Sequence, residues 1–187
     1  MARDELISQF MFRHLMNAGY PSESETKIRS SFLPLAYPPC VVRLDHLSKF
    51  MIKDLCLEVH HREHYLLLRT VTPTDTMTAV MAIVEDEEGA VLMLQLYNQG
   101  QELSGAQELM EGTVLIVKEP YVKVMADGDY GIRVDHVSDV MFLPECDDRI
   151  PLPWRTRIAH DDGSPSFWKE RGNVLFNQGN YRGALQW

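Results

Sequence analysis

Two apolar runs separated by an acidic tetrad and a glycine, "MTAVMAIVEDEEGAVLMLQLYNQ", constrain this chain more than any other stretch. Four consecutive carboxylates, Glu85-Asp86-Glu87-Glu88, followed by Gly89, suit a turn between the runs. The flanking runs, in turn, are too rich in β-branched and bulky residues to be left in solvent. The arrangement that satisfies both is a hairpin, with the tetrad and Gly89 as the turn. Within the first run, Val80, Ala82 and Val84 should face opposite to Met77, Met81 and Ile83.

The same grammar repeats along the middle of the chain. "YLLLRTVTP" is a β-rich run closed by proline. "TVLIVKEPYVKVM" and "YGIRVD" are strands separated by the turn Ala126-Asp127-Gly128-Asp129. Between the hairpin and these later strands, "QELSGAQELMEG" suits a short helix near Leu103–Met110, with Gly112 as its stop. Three strands, a helix and two more strands follow the plan of a five-stranded antiparallel OB-like Greek-key barrel between about Tyr65 and Asp135.

Upstream the pattern is helical. Leu6, Ile7, Phe10, Phe12, Leu15 and Met16 recur mostly at three- and four-residue spacing after the cap Asp4, and Gly19-Tyr20-Pro21 ends the run. "FLPLAYPPC" is too proline-rich for a long regular element. A second helical pattern then runs from Asp45 through Leu47, Phe50, Met51, Leu55 and Val59. The fold class expected is α+β. It comprises a helical N-terminal segment over residues 1–60, the OB-like barrel over 61–145, a linker over 146–164 and a helical hairpin beginning at 165.

Composition narrows the function classes. Of 187 residues, 45% are hydrophobic and 24% charged, as in folded proteins. No apolar run approaches the ~18 residues a membrane span needs, and the first residues resemble neither a secretory nor an organellar leader. Three widely spaced cysteines suit a reducing compartment, so an intracellular location, cytoplasmic or nuclear, is expected. Charge is uneven: residues 60–150 hold 17 acidic and 6 basic side chains, a net of −11, within a chain of net −9. Nucleic-acid affinity comes chiefly from neutralising phosphates, so an acidic barrel disfavours it.

The ending, "WKERGNVLFNQGNYRGALQW", has the small-and-bulky spacing of a tetratricopeptide (TPR) repeat, about 34 residues of helix–turn–helix. Gly172 and Ala184 would let two helices approach closely. Gly179 would supply the turn. Trp168, Leu175, Phe176, Tyr181 and Trp187 would fill the surrounding space. Such repeats are stable only in stacks, so the chain is expected to be a piece of a longer one.

Together with "GTVLIVKEPYVKVMADGDYGIRVDHVSDV", the hairpin stretch resembles the N-terminal region of a mostly fungal family of TPR- and SET-domain proteins. The resemblance runs from Tyr65 to Leu143. It implies an OB-like module ahead of TPR repeats and a SET domain of the lysine-methyltransferase type.

No catalytic constellation is visible in the sequence. His60 and His64 of "HHREH" would be a helical i, i+4 pair able to hold zinc, but no Glu or Cys completes a site, and a solvated helix end is the better reading. Acidic neighbours around Cys146 would oppose thiolate formation. "DGDYG" lacks the spacing of a calcium loop. The expectation is therefore a non-catalytic protein-interaction module with no cofactor, no metal and no membrane contact. Its alternative is a single-stranded nucleic-acid-binding OB domain. For that alternative a binding face would use Tyr97 as a stacking platform with Lys118, Lys123 and Arg133 as a small basic patch.

Overall fold

The computed structural model describes residues 3–18, 35–76, 79–97, 109–124, 128, 130–155, 169 and 173. The acidic hairpin forms as its composition requires. Strands β4 (Val80–Glu85) and β5 (Val91–Leu96) pair antiparallel along their full length. The turn is organised by Asp86, whose Oδ1 accepts the backbone N–H groups of Glu88 and Ala90, both at 3.0 Å. Gly89 donates its N–H to Asp86 O and adopts φ +80°, a conformation that costs a residue with a Cβ.

Seven further strands complete one sheet: β1 (Ser48–Phe50), β2 (His64–Thr70), β3 (Asp75–Thr76), β6 (Val114–Lys118), β7 (Tyr121–Val124), β8 (Tyr130–Val134) and β9 (Val140–Phe142). The order is β7-β8-β5-β4-β2-β6-β9, with β1 beside β2 and β3 beside β4. β6 and β7 lie five steps apart in that order, yet only Glu119 and Pro120 separate them in the chain. A flat sheet would hold them ~24 Å apart, whereas the three chain steps from Lys118 to Tyr121 reach about 11 Å at most. The sheet must therefore curl until its two flanks meet at this joint.

Curling gives the strands a concave and a convex side, and in β4 and β5 both are buried. Leu66, Leu68, Ala82, Val84, Leu92, Leu94, Leu115, Val117, Ile132 and Val134 form the main core. Met81, Ile83 and Met93 alternate with them and pack under Phe10 of helix α1 (Arg3–Ala18), with Leu6 and Ile7 beside it. The expected alternation of Ala82 and Val84 against Met81 and Ile83 is thus seen, and a strand buried on both faces reads as continuous apolar sequence. The outer side of α1 exposes Phe12, Leu15 and Met16. Arg3 anchors its start, donating to Glu85 Oε2 at 2.7 Å, while Arg69 Nε donates to Glu85 Oε1 at 3.0 Å.

Several expectations are corrected. The fold class is not a five-stranded all-antiparallel Greek-key barrel between a helical segment and a TPR start. Among the described residues it is a nine-stranded mixed sheet with two parallel pairs, β1 with β2 and β5 with β8, and helix α1 packed on it. Alternation shows which face a residue takes, but strand direction is set by the return path of the connection, which alternation does not encode. The second helical pattern, from Asp45 to Val59, does not form a helix. Two 3-10 turns, Leu44–His46 and Ile52–Asp54, flank β1 instead. There the Asp54 carboxylate accepts Met51 N–H and the Asp86 Oδ2 accepts Ile52 N–H, binding the segment to the hairpin turn. Of the helix expected near Leu103–Met110, residues 103–108 lie outside the described residues, as do Met77 and the TPR-motif residues Trp168, Gly172, Leu175, Phe176, Gly179, Tyr181, Ala184 and Trp187.

The chain divides into two compact units, Met1–Phe142 and Leu143–Trp187. In the second, Asp147 accepts the backbone N–H and guanidinium of Arg149, whose hydrogen bond holds the carboxyl below its ordinary value. Arg155 donates to the carbonyls of Ile150 and Asp148 beside the 3-10 turn Leu152–Trp154.

Phe10 carries the contact between α1 and the sheet, being 2% exposed. Phe10→Ala should cost about 3–5 kcal/mol, because the Met81–Ile83–Met93 surface cannot collapse into the space left. Urea unfolding followed by circular dichroism measures this, and a loss below about 1 kcal/mol would show that α1 does not depend on this anchor.

Candidate functional site

Of the four residues placed on a possible binding face, the structure brings two together. In a parallel pair, Arg133 of β8 lies opposite Gln95 of β5. Its guanidinium sits 5.2 Å from the ring centroid of Tyr97, a cation–π contact. Tyr97 in turn donates its hydroxyl to Gln95 Oε1 at 2.6 Å. Arg133 Nε donates to Asp135 Oδ1 at 2.7 Å, and both side chains are buried. Lys123 lies on β7 opposite Gly131, half-buried. Lys118 ends β6 opposite Tyr65 of β2. Arg133 spends its charge inside the fold, on Asp135.

What covers Arg133 is an extended stretch, Leu35–Val42, that sequence reasoning passed over as merely proline-rich. Tyr37 is its anchor. The Tyr37 hydroxyl donates to Arg133 O and accepts from Asp135 N–H, both at 3.2 Å, and Tyr37 N–H reaches Asp135 Oδ2 at 3.4 Å. Three residues further on, Cys40 N–H donates to Asp139 Oδ1 at 2.9 Å. Pro38 and Pro39 keep the stretch extended between these two anchors. Burial, above all, pushes the Tyr37 hydroxyl well above its ordinary value. The signal available was the Tyr-Pro-Pro sequence itself, which marks an extended segment but not its docking surface.

Around Tyr37 three more rings meet edge-on: His60 with centroids 4.5 Å apart, His136 at 5.6 Å and Tyr121 at 6.1 Å. His136 Nε2 also contacts Tyr37 O. His60 forms an isolated antiparallel bridge with Tyr121, and His64 opens β2. They are therefore not a helical pair. His61 instead accepts Cys56 N–H at 3.0 Å through its Nε2. Among the described residues no three His, Cys, Asp or Glu side chains gather as metal ligands.

Three glutamates hold this end of the sheet in strained backbone: Glu58, Glu63 and Glu119, at φ 58°, 64° and 45°. Glu58 accepts Val124 N–H and the Tyr121 hydroxyl, which hold its carboxyl below the ordinary value. For Glu119, burial pushes the carboxyl up, but Arg62 and the N–H of Glu63 outweigh it and the net shift is downward. Glu85 behaves alike: burial opposes ionisation, and Arg3 and Arg69 win. Such groups stabilise the fold above their ordinary value, and that stability is lost as pH falls through their lowered folded values, below 4.5. Chemically, the arrangement can fasten one segment onto a sheet.

Comparison with known proteins adds one relative in sequence. A Gibberella zeae protein named "Methyltransferase" is 46% identical over 175 residues. The match covers 92% of this chain but 24% of that protein, so the chain spans about a quarter of the length of the curated relative it matches. No protein-family profile matches. Among solved structures, Schizosaccharomyces pombe Pot1pC bound to ssDNA is similar at 13% identity and a TM-score of 0.41, over 56% of this chain and 90% of that one. Fission yeast Pot1 with ssDNA is similar at 11% identity and the same TM-score, over 56% and 41%. Likeness of that degree carries no inference about this chain.

If Arg133 is a fastening residue, Arg133→Ala should destabilise by about 3–5 kcal/mol, since it removes the cation paired with the buried Asp135 carboxylate. Lys118→Ala and Lys123→Ala should stay within about 0.5 kcal/mol. Denaturant midpoints for the three variants decide this, and a neutral Arg133→Ala would return that residue to the pool of binding candidates.

Proposed function

We propose that this chain is a non-catalytic protein-interaction module belonging to a larger methyltransferase, one of the SET type that modifies lysine. The observation supporting this is the shape of the match to the Gibberella zeae protein: almost the whole of this chain, against a quarter of its relative. Three-quarters of that protein lies beyond the match and is where methyl transfer would be housed. The interior of the described sheet agrees with a scaffold role. Buried carboxylates there are paired with arginines: Asp135 with Arg133, and Glu85 with Arg3 and Arg69. In this reading the partner is a protein, bound inside the cell, and the net charge of −9 favours a partner with a basic face.

The test uses the full-length parent, the same protein lacking this module, and the module alone. Each is incubated with tritiated S-adenosylmethionine and a cell extract as acceptor. The parent should transfer methyl groups, and the module alone should transfer none. The parent without the module should keep its basal turnover on a minimal peptide while losing transfer to partner-bound acceptors. Methylation by the isolated module would overturn the non-catalytic assignment. Low-micromolar binding of single-stranded DNA by the module, weakening steeply with added salt, would replace it with the nucleic-acid reading.

A further inference from the structure

We propose that the stretch Leu35–Val42 is a pH-gated cover over the β7–β8 face, with His60 as the group that senses the proton. The geometry begins with what holds the cover down. Pro38 and Pro39 have no N–H to give, and the hydrogen bonds to the sheet run through Tyr37 and Cys40. The ring of Tyr37 rests edge-on against His60, so His60 forms part of the floor on which the cover sits.

His60 is fitted to that floor as a neutral ring. It hydrogen-bonds to the backbone at Glu119, and its Nε2 is buried with no hydrogen-bond partner among the described residues. A bare ring nitrogen can be tolerated between two aromatic neighbours, Tyr37 and Tyr121. A proton taken from solvent onto Nε2 changes the balance: it puts a charged N–H donor where no acceptor is in place. The charged groups facing His60 are Arg62 of its own segment, Glu119 of the β6–β7 joint and Asp139 of the 3-10 turn Val137–Asp139. Burial first and then Arg62 disfavour the charged ring, the two carboxylates favour it, and the net effect holds His60 below its ordinary value. His136 touches Tyr37 from the other side and serves as the control position.

The sign follows from linkage. A histidine whose folded value is lowered binds fewer protons folded than released. The closed cover therefore weakens as pH falls through the ordinary value of 6.5, and the loss is complete once pH lies below the folded value. This window is separate from that of Glu58, Glu85 and Glu119, which act below 4.5. Lifting the cover uncovers Tyr121 and the Arg133–Asp135 pair beside Lys123, an aromatic and charged surface that the closed state hides.

Hydrogen exchange of the whole chain reads the cover directly, through the amides of Tyr37 and Cys40. After correction for intrinsic rates, their protection should drop by about tenfold or more between pH 7.5 and 5.5, while the β4–β5 amides keep theirs. His60→Gln should abolish this pH dependence and His136→Gln should leave it intact. Because His60→Gln could loosen the fold, the wild-type His60 is also titrated by NMR, and its midpoint should lie below 6.5 and coincide with the loss of Tyr37 protection. A pH-independent cover, a midpoint above 6.5, or a response that persists in His60→Gln and vanishes in His136→Gln would each overturn the proposal.

Discussion

Glu119 and Pro120 join two strands that hydrogen-bond to opposite flanks of the same sheet, and this two-residue joint dictates the rest of the molecule. It forces the sheet to curl, and curling divides every strand into a concave side that fills the main core and a convex side that needs its own cover. Helix α1 covers part of the convex side through Phe10, and the extended stretch around Tyr37 covers another part. The joint itself is costly, since Glu119 takes a positive φ. Its carboxylate recovers part of that cost by binding the N–H of Glu63 and the guanidinium of Arg62, which fixes the neighbouring loop at the same time.

Polar groups do the fastening wherever a segment crosses the sheet. Asp86 satisfies the hairpin turn with one oxygen and the 3-10 turn after β1 with the other. Glu85 receives arginines from α1 and from β2, and Asp135 receives Arg133 and Tyr37. Buried ionic contacts of this kind add little net stability, but they penalise every arrangement that leaves a partner unpaired. Such contacts select one docking of each covering segment. A module that must hold a defined surface towards other parts of a large protein gains from that selection, in keeping with the role proposed for it.

The histidines show how one motif divides when the backbone is set. Read as a helix, "HHREH" places His60 and His64 on one face. In the sheet, His60 faces Tyr37 and Tyr121, His61 binds the backbone of Cys56, and His64 packs on Phe50 with centroids 3.7 Å apart. The spacing that suggested a shared ligand depended on a helical period, and the period is not there.

The sequence by itself determined what is local. The β4–β5 hairpin, its acidic turn with Gly89, the alternation of Ala82 and Val84 against Met81 and Ile83, and the helix beginning near Asp4 could all be read from periodicity and turn chemistry. Each depends on residues within a few positions of one another. Only the tertiary structure decided the parallel pairing of β5 with β8, the strand at Ser48–Phe50 in place of a helix, and the fate of Arg133. That residue read as a candidate phosphate contact, because a cation in a strand looks the same whether its partner is solvent or a buried carboxylate. Its cover comes from Tyr37, whose bonds to this region span almost a hundred residues of chain. Contacts so remote leave no periodic trace, and they exist only once the curled sheet has brought its two ends to one place.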